Sequence, residues 1–261
     1  MENFENIEIR TEDLIRRCEK QYTPQFTNFL TPEEQTAVKT LVAVHHEVFV
    51  IFYGGISNSE RCIAGFFPCD IYSYPENETD LHELESYFEV GFVEICGSGF
   101  VNFSHRDVLG SVMSLGIKRE TLGDIIVDED SKKAYIAVLP GIGNYICTSL
   151  ERVARDKVHV KCVKKDNVPE KKQNFSDMSL TLASVRLDAL VSGMLNISRD
   201  KAKKIIASGK VSLNHSEILR CDKEFTCGDI IAVKGEGKFV VDSFLGLTAK
   251  NRYRVIARKY L

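Results

Sequence analysis

The chain has 261 residues, of which 44% are hydrophobic and 27% are charged, and its formal net charge at pH 7 is −3. This composition is typical of a globular protein that is long enough for two or three small domains. The most apolar runs fall far short of the roughly 20 residues that a membrane-spanning helix needs. The acidic, polar start argues against a secretory signal. We therefore expect a cytoplasmic protein.

The charge is unevenly distributed along the chain. Residues 180–261 contain 15 Lys and Arg against 8 Asp and Glu, a net charge of +7, whereas residues 1–179 carry −10. Such asymmetry is typical of a basic module that faces nucleic acid or a membrane, joined to an acidic body. We predict that the basic part contacts RNA; a merely solvated basic surface is the alternative.

The eight cysteines are scattered, with no C-x-x-C pair and no histidine partner at zinc spacing. In a reducing cytosol such thiols are buried or idle rather than metal ligands or disulfides. We accordingly expect neither a metal nor a cofactor.

Residues 1–80 are predicted to form an N-terminal α/β domain that begins with a polar helix. A second helix should follow Thr31, which is a good N-cap, with Pro32 in the first helical position. Strands are predicted at 48–53 and 61–67, and a domain boundary near 73–80.

Residues 81–165 show a clearer order of elements. The predicted elements are a strand at 88–95, a helix from the N-cap Ser104 to a stop at Gly116, strands at 122–128 and 133–138, a helix at about 142–153 and a strand at 157–163. This order is the split β-α-β (RRM/ferredoxin-like) arrangement. RNA-binding domains of this shape stack bases on sheet aromatics, and here the central strand supplies only Tyr135. We therefore assign no RNA contact to this sheet. Residues 166–179 are predicted to be a polar, proline-containing linker.

The most informative stretch is NISRDKAKKIIASGKVSLN, residues 196–214. Ser198 is a good N-cap, and Ala202, Ile205 and Ile206 form a short apolar stripe on the predicted helix. The remaining positions are basic, although like charges four residues apart cost an isolated helix roughly 0.2–0.5 kcal/mol. Gly209 should end the helix, and an alternating strand should follow it.

Two short helices, a turn and a strand are predicted to place basic side chains on one surface. These are Arg186, Arg199, Lys203, Lys204 and Lys210, to which the helix N-terminus at Ser198 adds backbone donors suited to phosphate. The turn KGEGK at 234–238 adds Lys234 and Lys238, for which phosphate contact and plain solvation are equally good interpretations.

Four motifs in residues 183–243 resemble the RNA-binding domain first recognised in small-subunit ribosomal protein S-four. In order they are R-L-D, S-R-x-x-A, I-x-x-G-x-V-x-x-N and G-D-x-I. The resemblance implies that seven residues face structured RNA: Arg186, Ser198, Arg199, Lys203, Gly209, Lys210 and Asn214. Residues 180–261 are accordingly predicted to be an S-four-type domain.

The segment HRDVLGSVMSLGIKRETLGDIIVD, residues 105–128, precedes this domain and resembles the bacterial YlmH family. The resemblance extends over nearly the whole chain and is weakest in residues 1–80. It implies a factor that binds the large ribosomal subunit carrying stalled peptidyl-tRNA, with contacts to rRNA and tRNA. The family has also been tied to cell division.

Similar RNA-binding domains also occur in pseudouridine synthases, tyrosyl-tRNA synthetases and RNA methyltransferases, so an enzyme is the main alternative. Residues 1–179 lack adenylation motifs, a methyl-donor glycine loop and a convincing synthase motif. The segment His105-Arg106-Asp107 resembles part of a kinase catalytic loop, but the asparagine that should follow it and a phosphate-binding glycine loop are missing from the sequence. The segment is better explained as the start of a helix.

We therefore predict a non-enzymatic RNA-binding factor of three small α+β domains. The rivals are an RNA-modifying enzyme with an unrecognised site in 81–165, and an adaptor, for instance in cell division, whose acidic body binds a protein.

Overall fold

The computed structural model describes residues 2–128, 132–171 and 175–260, with side chains from residue 7 onward. Backbone contacts divide the chain into two compact units, and the division falls after Lys171. The predicted domains 1–80 and 81–165 thus lie in one unit. Within the described part of the chain, no helix has the length and apolar character needed to cross a bilayer.

The first part of unit 1 is a three-stranded antiparallel sheet with helices against it. Its elements are α1 (Glu2–Gln21), β1 (Gln25–Leu30), α2 (Pro32–Val42), β2 (Val48–Tyr53), β3 (Cys62–Pro68) and α3 (Glu78–Glu85), with strand order β1-β3-β2. The predicted N-cap is confirmed, because Thr31 and Glu34 form a reciprocal capping box at the start of α2. Strand β1, in which polar residues precede a buried Phe29, was not predicted from the sequence.

The second part of unit 1 has the predicted β-α-β-β-α-β order. Its elements are β4 (Gly91–Cys96), α4 (His105–Met113), β5 (Leu122–Asp128), β6 (Lys133–Val138), α5 (Ile142–Ser149), the short hairpin β7 (Arg152–Val153) and β8 (Asp156–Lys157), and β9 (His159–Val163). The sheet order β5-β6-β4-β9 places the first and third strands of the motif at the centre, as the split β-α-β arrangement requires. Helices α4 and α5 contribute Val108, Val112 and Ile146 to its core.

The two parts of unit 1 share an apolar core, which is why no independent domain ends near residue 80. Phe29 and Phe67 of the first sheet pack with Phe88, Phe92 and Ala137 of the second part. The predicted boundary at 73–80 instead leads into α3, which is N-capped by Asn77. Burial of these rings joins both sheets through the hydrophobic effect.

A buried carboxylate strengthens the same junction. Asp124 on β5 accepts hydrogen bonds from the backbone N–H groups of Glu60 (2.9 Å) and Arg61 (3.0 Å) and from Nζ of Lys171 (2.8 Å). Burial alone would raise the pKa of Asp124, but the hydrogen bonds from Lys171, Glu60 and Arg61 outweigh it and hold the pKa below its ordinary value.

Unit 2 is a six-stranded sheet with two helices on one face. Its elements are β10 (Phe175–Leu182), α6 (Leu187–Met194), α7 (Arg199–Ala207), β11 (Val211–Leu213), β12 (Ser216–Glu217), β13 (Ile230–Val233), β14 (Gly237–Leu247) and β15 (Tyr253–Tyr260), and the strand order is β10-β15-β14-β13-β11-β12. Leu190 of α6 and Ile206 of α7 pack with Val241 and Val255 of the sheet.

The linker prediction is wrong for residues 175–179. These residues form the first half of β10 and pair in antiparallel register with β15, from Phe175 opposite Tyr260 to Leu182 opposite Tyr253. Only Phe175 and Met178 are apolar within residues 175–179, so the segment has a weak strand signal until Leu180 and Leu182 enter the core. Residues 172–174 lie outside the described residues.

Candidate nucleic-acid interface

Helix α7 and its N-cap hold four of the ten predicted RNA-facing residues, namely Ser198, Arg199, Lys203 and Lys204. Ser198 caps it by accepting a hydrogen bond from the backbone N–H of Lys201, while Ala202 and Ile206 are fully buried. Lys203 and Lys204 lie on the exposed side of the helix. The predicted amphipathic helix is thus confirmed, and its basic residues project toward solvent.

Arg186 and Arg199 meet at a buried carboxylate, which the sequence analysis did not foresee. Asp188 at the start of α6 is 1% exposed, and its Oδ1 accepts hydrogen bonds from Arg199 (2.7 Å) and from Nε of Arg186 (3.3 Å). Both arginine side chains remain about two-fifths exposed, at 43% for Arg199 and 42% for Arg186. The carboxylate therefore fixes two guanidinium groups side by side at the surface where α6 and α7 meet.

The electrostatics of this cluster favour a charged Asp188. Burial alone would raise its pKa, but the hydrogen bond from Arg199 and the two guanidinium charges lower the pKa below its ordinary value. Oδ2 of Asp188 has no hydrogen-bond partner among the described residues. Arg199 is thus both surface-exposed, as predicted, and required to neutralise a buried charge.

The turn after α7 brings further predicted residues together. Gly209 has a φ of +69°, and a Cβ atom there would lie 2.6 Å from Oε1 of Glu217, so this position requires glycine. The next residue, Lys210, accepts a hydrogen bond at its carbonyl oxygen from the backbone N–H of Lys234, at 2.9 Å. The backbones of these two exposed lysines are therefore direct neighbours.

Asn214 and Lys238 have structural contacts of their own. The Asn214 amide donates to Oδ1 of Asp229 (2.7 Å) and accepts from the backbone N–H of Ile230 (2.9 Å), which holds the turn after β11. Lys238, at the start of β14, places Nζ 5.0 Å from the ring centre of Tyr260. An RNA contact for either residue stays a prediction.

The sheet face opposite the helices carries aromatic rings next to cations, a pattern that sequence reasoning missed. The rings of Phe175 and Tyr260 are 4.8 Å apart, and the guanidinium of Arg258 lies 5.4 Å from the centre of the Phe175 ring. The alternation of inward-facing and outward-facing residues along β10 and β15 is the sequence signal that could have revealed this face. The assignment of residues 175–179 to a linker removed one of those strands from consideration.

In unit 1, a second cluster lies on the sheet face away from α4 and α5. Glu94 on β4 is 4% exposed. Its carboxylate accepts hydrogen bonds from Lys161 (3.0 Å), Lys133 (3.2 Å), Tyr135 (3.1 Å) and Cys96 (3.2 Å). Tyr135 is itself buried and bonded through its hydroxyl group, so its ring does not offer a stacking surface. The two lysines, by contrast, are held next to each other at the surface.

Glu94 should make unit 1 sensitive to acid. Burial alone would raise the pKa of Glu94, but hydrogen bonds from Lys161, Cys96, Lys133 and Tyr135 outweigh it and lower the pKa to about 2. A carboxyl whose folded pKa is depressed contributes stability above its unfolded pKa of about 4.3 and loses that contribution as the pH falls toward the folded value. We expect Glu94→Gln to flatten the fall of the unfolding free energy between about pH 4.5 and 2.

Urea denaturation at a series of pH values would measure this effect. Glu83→Gln on α3 is a suitable control, because the Glu83 side chain is exposed. If both variants retain the wild-type pH dependence, the Glu94 cluster does not contribute to stability in acid.

The segment at 105–107 has a structural explanation. Asp107 Oδ2 accepts a hydrogen bond from the backbone N–H of Ser104 (3.0 Å), and Ser104 Oγ accepts one from the backbone N–H of Asp107 (3.1 Å). This capping box confirms the predicted start of α4. Among the described residues, no group of three or more His, Cys, Asp or Glu side chains is placed to hold a metal ion.

These features define a class: a two-unit α+β protein with a basic helical surface in its C-terminal unit and a split β-α-β sheet in its N-terminal unit. Residues 84–167 match the family model described as "Putative RNA-binding domain in YlmH". This match covers the sheet to which the sequence analysis assigned no RNA contact. Over these residues the chain is therefore similar to the YlmH family.

Two individual proteins are similar over much of the chain. Ribosome-associated protein quality control protein P2 of Bacillus subtilis (strain 168) is 28% identical over 242 residues, which cover 92% of this chain and 89% of the relative. The solved structure of cell division protein ylmH from Streptococcus pneumoniae matches with a TM-score of 0.50 and 24% identity, covering 64% of this chain and 95% of that one. The structural match supports the mixed α/β fold.

Proposed function

We propose that this protein is a non-enzymatic RNA-binding factor that acts on the ribosome. The observation that carries the proposal is the clustering of Arg186, Arg199, Lys203 and Lys204 where α6 and α7 meet, with Asp188 holding the two arginines in place. A solvated surface has no need to organise guanidinium groups around a buried carboxylate. Phosphate groups of RNA are the natural partner of such an array.

The similar protein from Bacillus subtilis supports the choice of the ribosome, since it is named as ribosome-associated and aligns with nearly the full length of this chain. The match of residues 84–167 to a family described as RNA-binding supports contacts from both units. We further propose that the C-terminal unit is of the S-four type. Its support is the pair of short helices followed by a strand, in which Ser198, Gly209 and Asn214 of the motifs occupy the cap and turn positions.

The finer assignment is to the large subunit carrying stalled peptidyl-tRNA, with contacts to rRNA and tRNA in the cytoplasm. It rests on the family resemblance of residues 105–128 and 183–243. The net charge of −10 on residues 1–179 favours this assignment over naked RNA, because repulsion of the acidic body must be offset by shape-specific contacts.

Sedimentation of cell lysates through density gradients tests the proposal. We expect the protein to co-migrate with large ribosomal subunits, most strongly when translation stalls and the subunits split with tRNA attached. Raising the salt concentration should release it, because phosphate contacts weaken as counterions compete. If the protein stays at the top of the gradient at low salt while stalled complexes are abundant, the ribosomal assignment is wrong.

The alternatives predict different outcomes. An RNA-modifying enzyme would leave a modified nucleotide at the mapped crosslinking site, and the names of the similar proteins favour a non-catalytic factor instead. The name of the pneumococcal protein favours a role in cell division. Such an adaptor would be captured with division proteins after nuclease treatment.

A further inference from the structure

One loop of unit 1 exposes a large apolar side chain almost completely. The loop at residues 97–103, termed here the Phe100 loop, connects β4 to α4. Phe100 is 94% exposed and the neighbouring Val101 is 41% exposed. A phenylalanine side chain gains about 1.5–3 kcal/mol from burial, so a protein that only needed a connection would place a polar residue here.

The Phe100 loop is anchored at both of its ends. At the first end, Gly97 donates its N–H to the carbonyl of Lys132 (3.2 Å) and Ser98 donates its N–H to Oδ2 of Asp156 (2.9 Å). A Cβ atom on Gly97 would lie 2.5 Å from the Phe103 ring. At the second end, Phe103 is 4% exposed and belongs to the core of the second sheet. Phe100 is therefore held at the apex between two fixed points.

Cations flank the same loop. Nζ of Lys132 donates a hydrogen bond to Oδ1 of Asn102 within the loop. Arg106 is exposed in the first turn of α4, and Arg155 is exposed next to the Asp156 that anchors Ser98. Two described carboxylates beside the loop already have partners, because Asp156 bonds Ser98, and Asp107 caps α4 through Ser104. The described residues next to the Phe100 loop thus include three cations.

We infer that Phe100 stacks on an unpaired base of RNA, while Lys132, Arg106 and Arg155 bind the adjacent phosphates. An apolar pocket on a protein partner would match the ring but not the surrounding cations, whereas RNA supplies a flat base and a negative backbone together. The buried Tyr135 leaves the sheet without a stacking ring, and the Phe100 loop supplies one. This inference rests on the proposed function and adds a second contact, in the unit that does not contain α7.

The chain has no tryptophan, so F100W introduces a single fluorescent reporter at the loop apex. Deproteinised large-subunit rRNA should quench and blue-shift the emission of F100W and protect it from acrylamide. Inorganic polyphosphate offers the same charge without bases and should leave the emission nearly unchanged. The matched control is Tyr74→Trp, at another exposed aromatic position of unit 1, which should respond to neither polymer.

F100A should weaken rRNA binding at least about fivefold, the lower end of what stacking on one base contributes, without lowering the melting temperature. Rescue by F100W would support stacking over mere loop shape.

If F100A and wild type bind rRNA equally and the emission of F100W does not change, the inference is overturned while RNA binding itself stands. If wild type binds no RNA in the same assay, the proposed function fails first, and this inference fails with it. A response to intact subunits but not to their purified RNA would indicate a ribosomal protein and would also overturn it.

Discussion

Arg199→Ala is expected to lower the free energy of unfolding of the C-terminal unit by about 2 kcal/mol. Removing Arg199 takes away the shorter of the two hydrogen bonds to Oδ1 of Asp188, whose side chain is 1% exposed. The buried charge would then keep only the longer contact to Arg186. We place the cost below the range of about 3–5 kcal/mol for fully buried pairs, because Arg199 is itself 43% exposed.

Hydrogen exchange of the full chain, read at amides of α6 and α7, would locate and measure this loss. Lys203→Ala is the matched control. Lys203 is 49% exposed, and its Nζ lies as far as 3.9 Å from Oδ1 of Asp200. Its replacement should therefore change the free energy of unfolding by no more than about 0.5 kcal/mol. Asp188→Asn should restore part of the stability lost in Arg199→Ala, since it removes the unpaired charge. Equal stability of the two alanine variants would show that the Asp188 cluster is not a stabilising feature.

The second large effect concerns RNA affinity rather than stability. Replacing Lys203, Lys204 and Lys210 together by glutamine should reduce the salt slope of RNA binding by about 2–3 units, at about 0.7–0.9 for each lost phosphate contact. All three side chains are exposed, so the variant should fold normally. Binding measured over a series of salt concentrations gives the slope directly.

A control with the same change in charge separates local contacts from net charge. Lys250, Arg252 and Arg254 lie in and beside the turn between β14 and β15, and all three are exposed. Their replacement by glutamine should lower affinity through the long-range field while removing fewer specific contacts. If both triple variants lose the same slope, the surface of α7 is not the main phosphate-binding site.

Local signals determined much of this fold from the sequence alone. The predicted caps Thr31, Ser104 and Ser198 all accept the expected hydrogen bonds, and the predicted strand at 48–53 has the observed bounds. The predicted end of α7 at Gly209 is also found, and this glycine has a positive φ. These features depend on residues that are close together in the sequence, so local sequence patterns are enough to predict them.

Tertiary structure alone decided the features that join distant segments. Strand β10 exists because β15, more than 70 residues later, supplies its hydrogen bonds, and a fragment that begins at residue 180 would lose five of its eight residues. The Glu94 cluster combines residues from three strands. Asp188 lay inside the R-L-D motif of the sequence, but its partner Arg199 could be recognised only once α6 and α7 packed together. Polar residues have no periodic signal of their own, and their partners are set by sheet register and helix packing. Sequence patterns therefore predicted which basic residues lie on one surface, and only the packed chain shows which of them are held by a buried carboxylate.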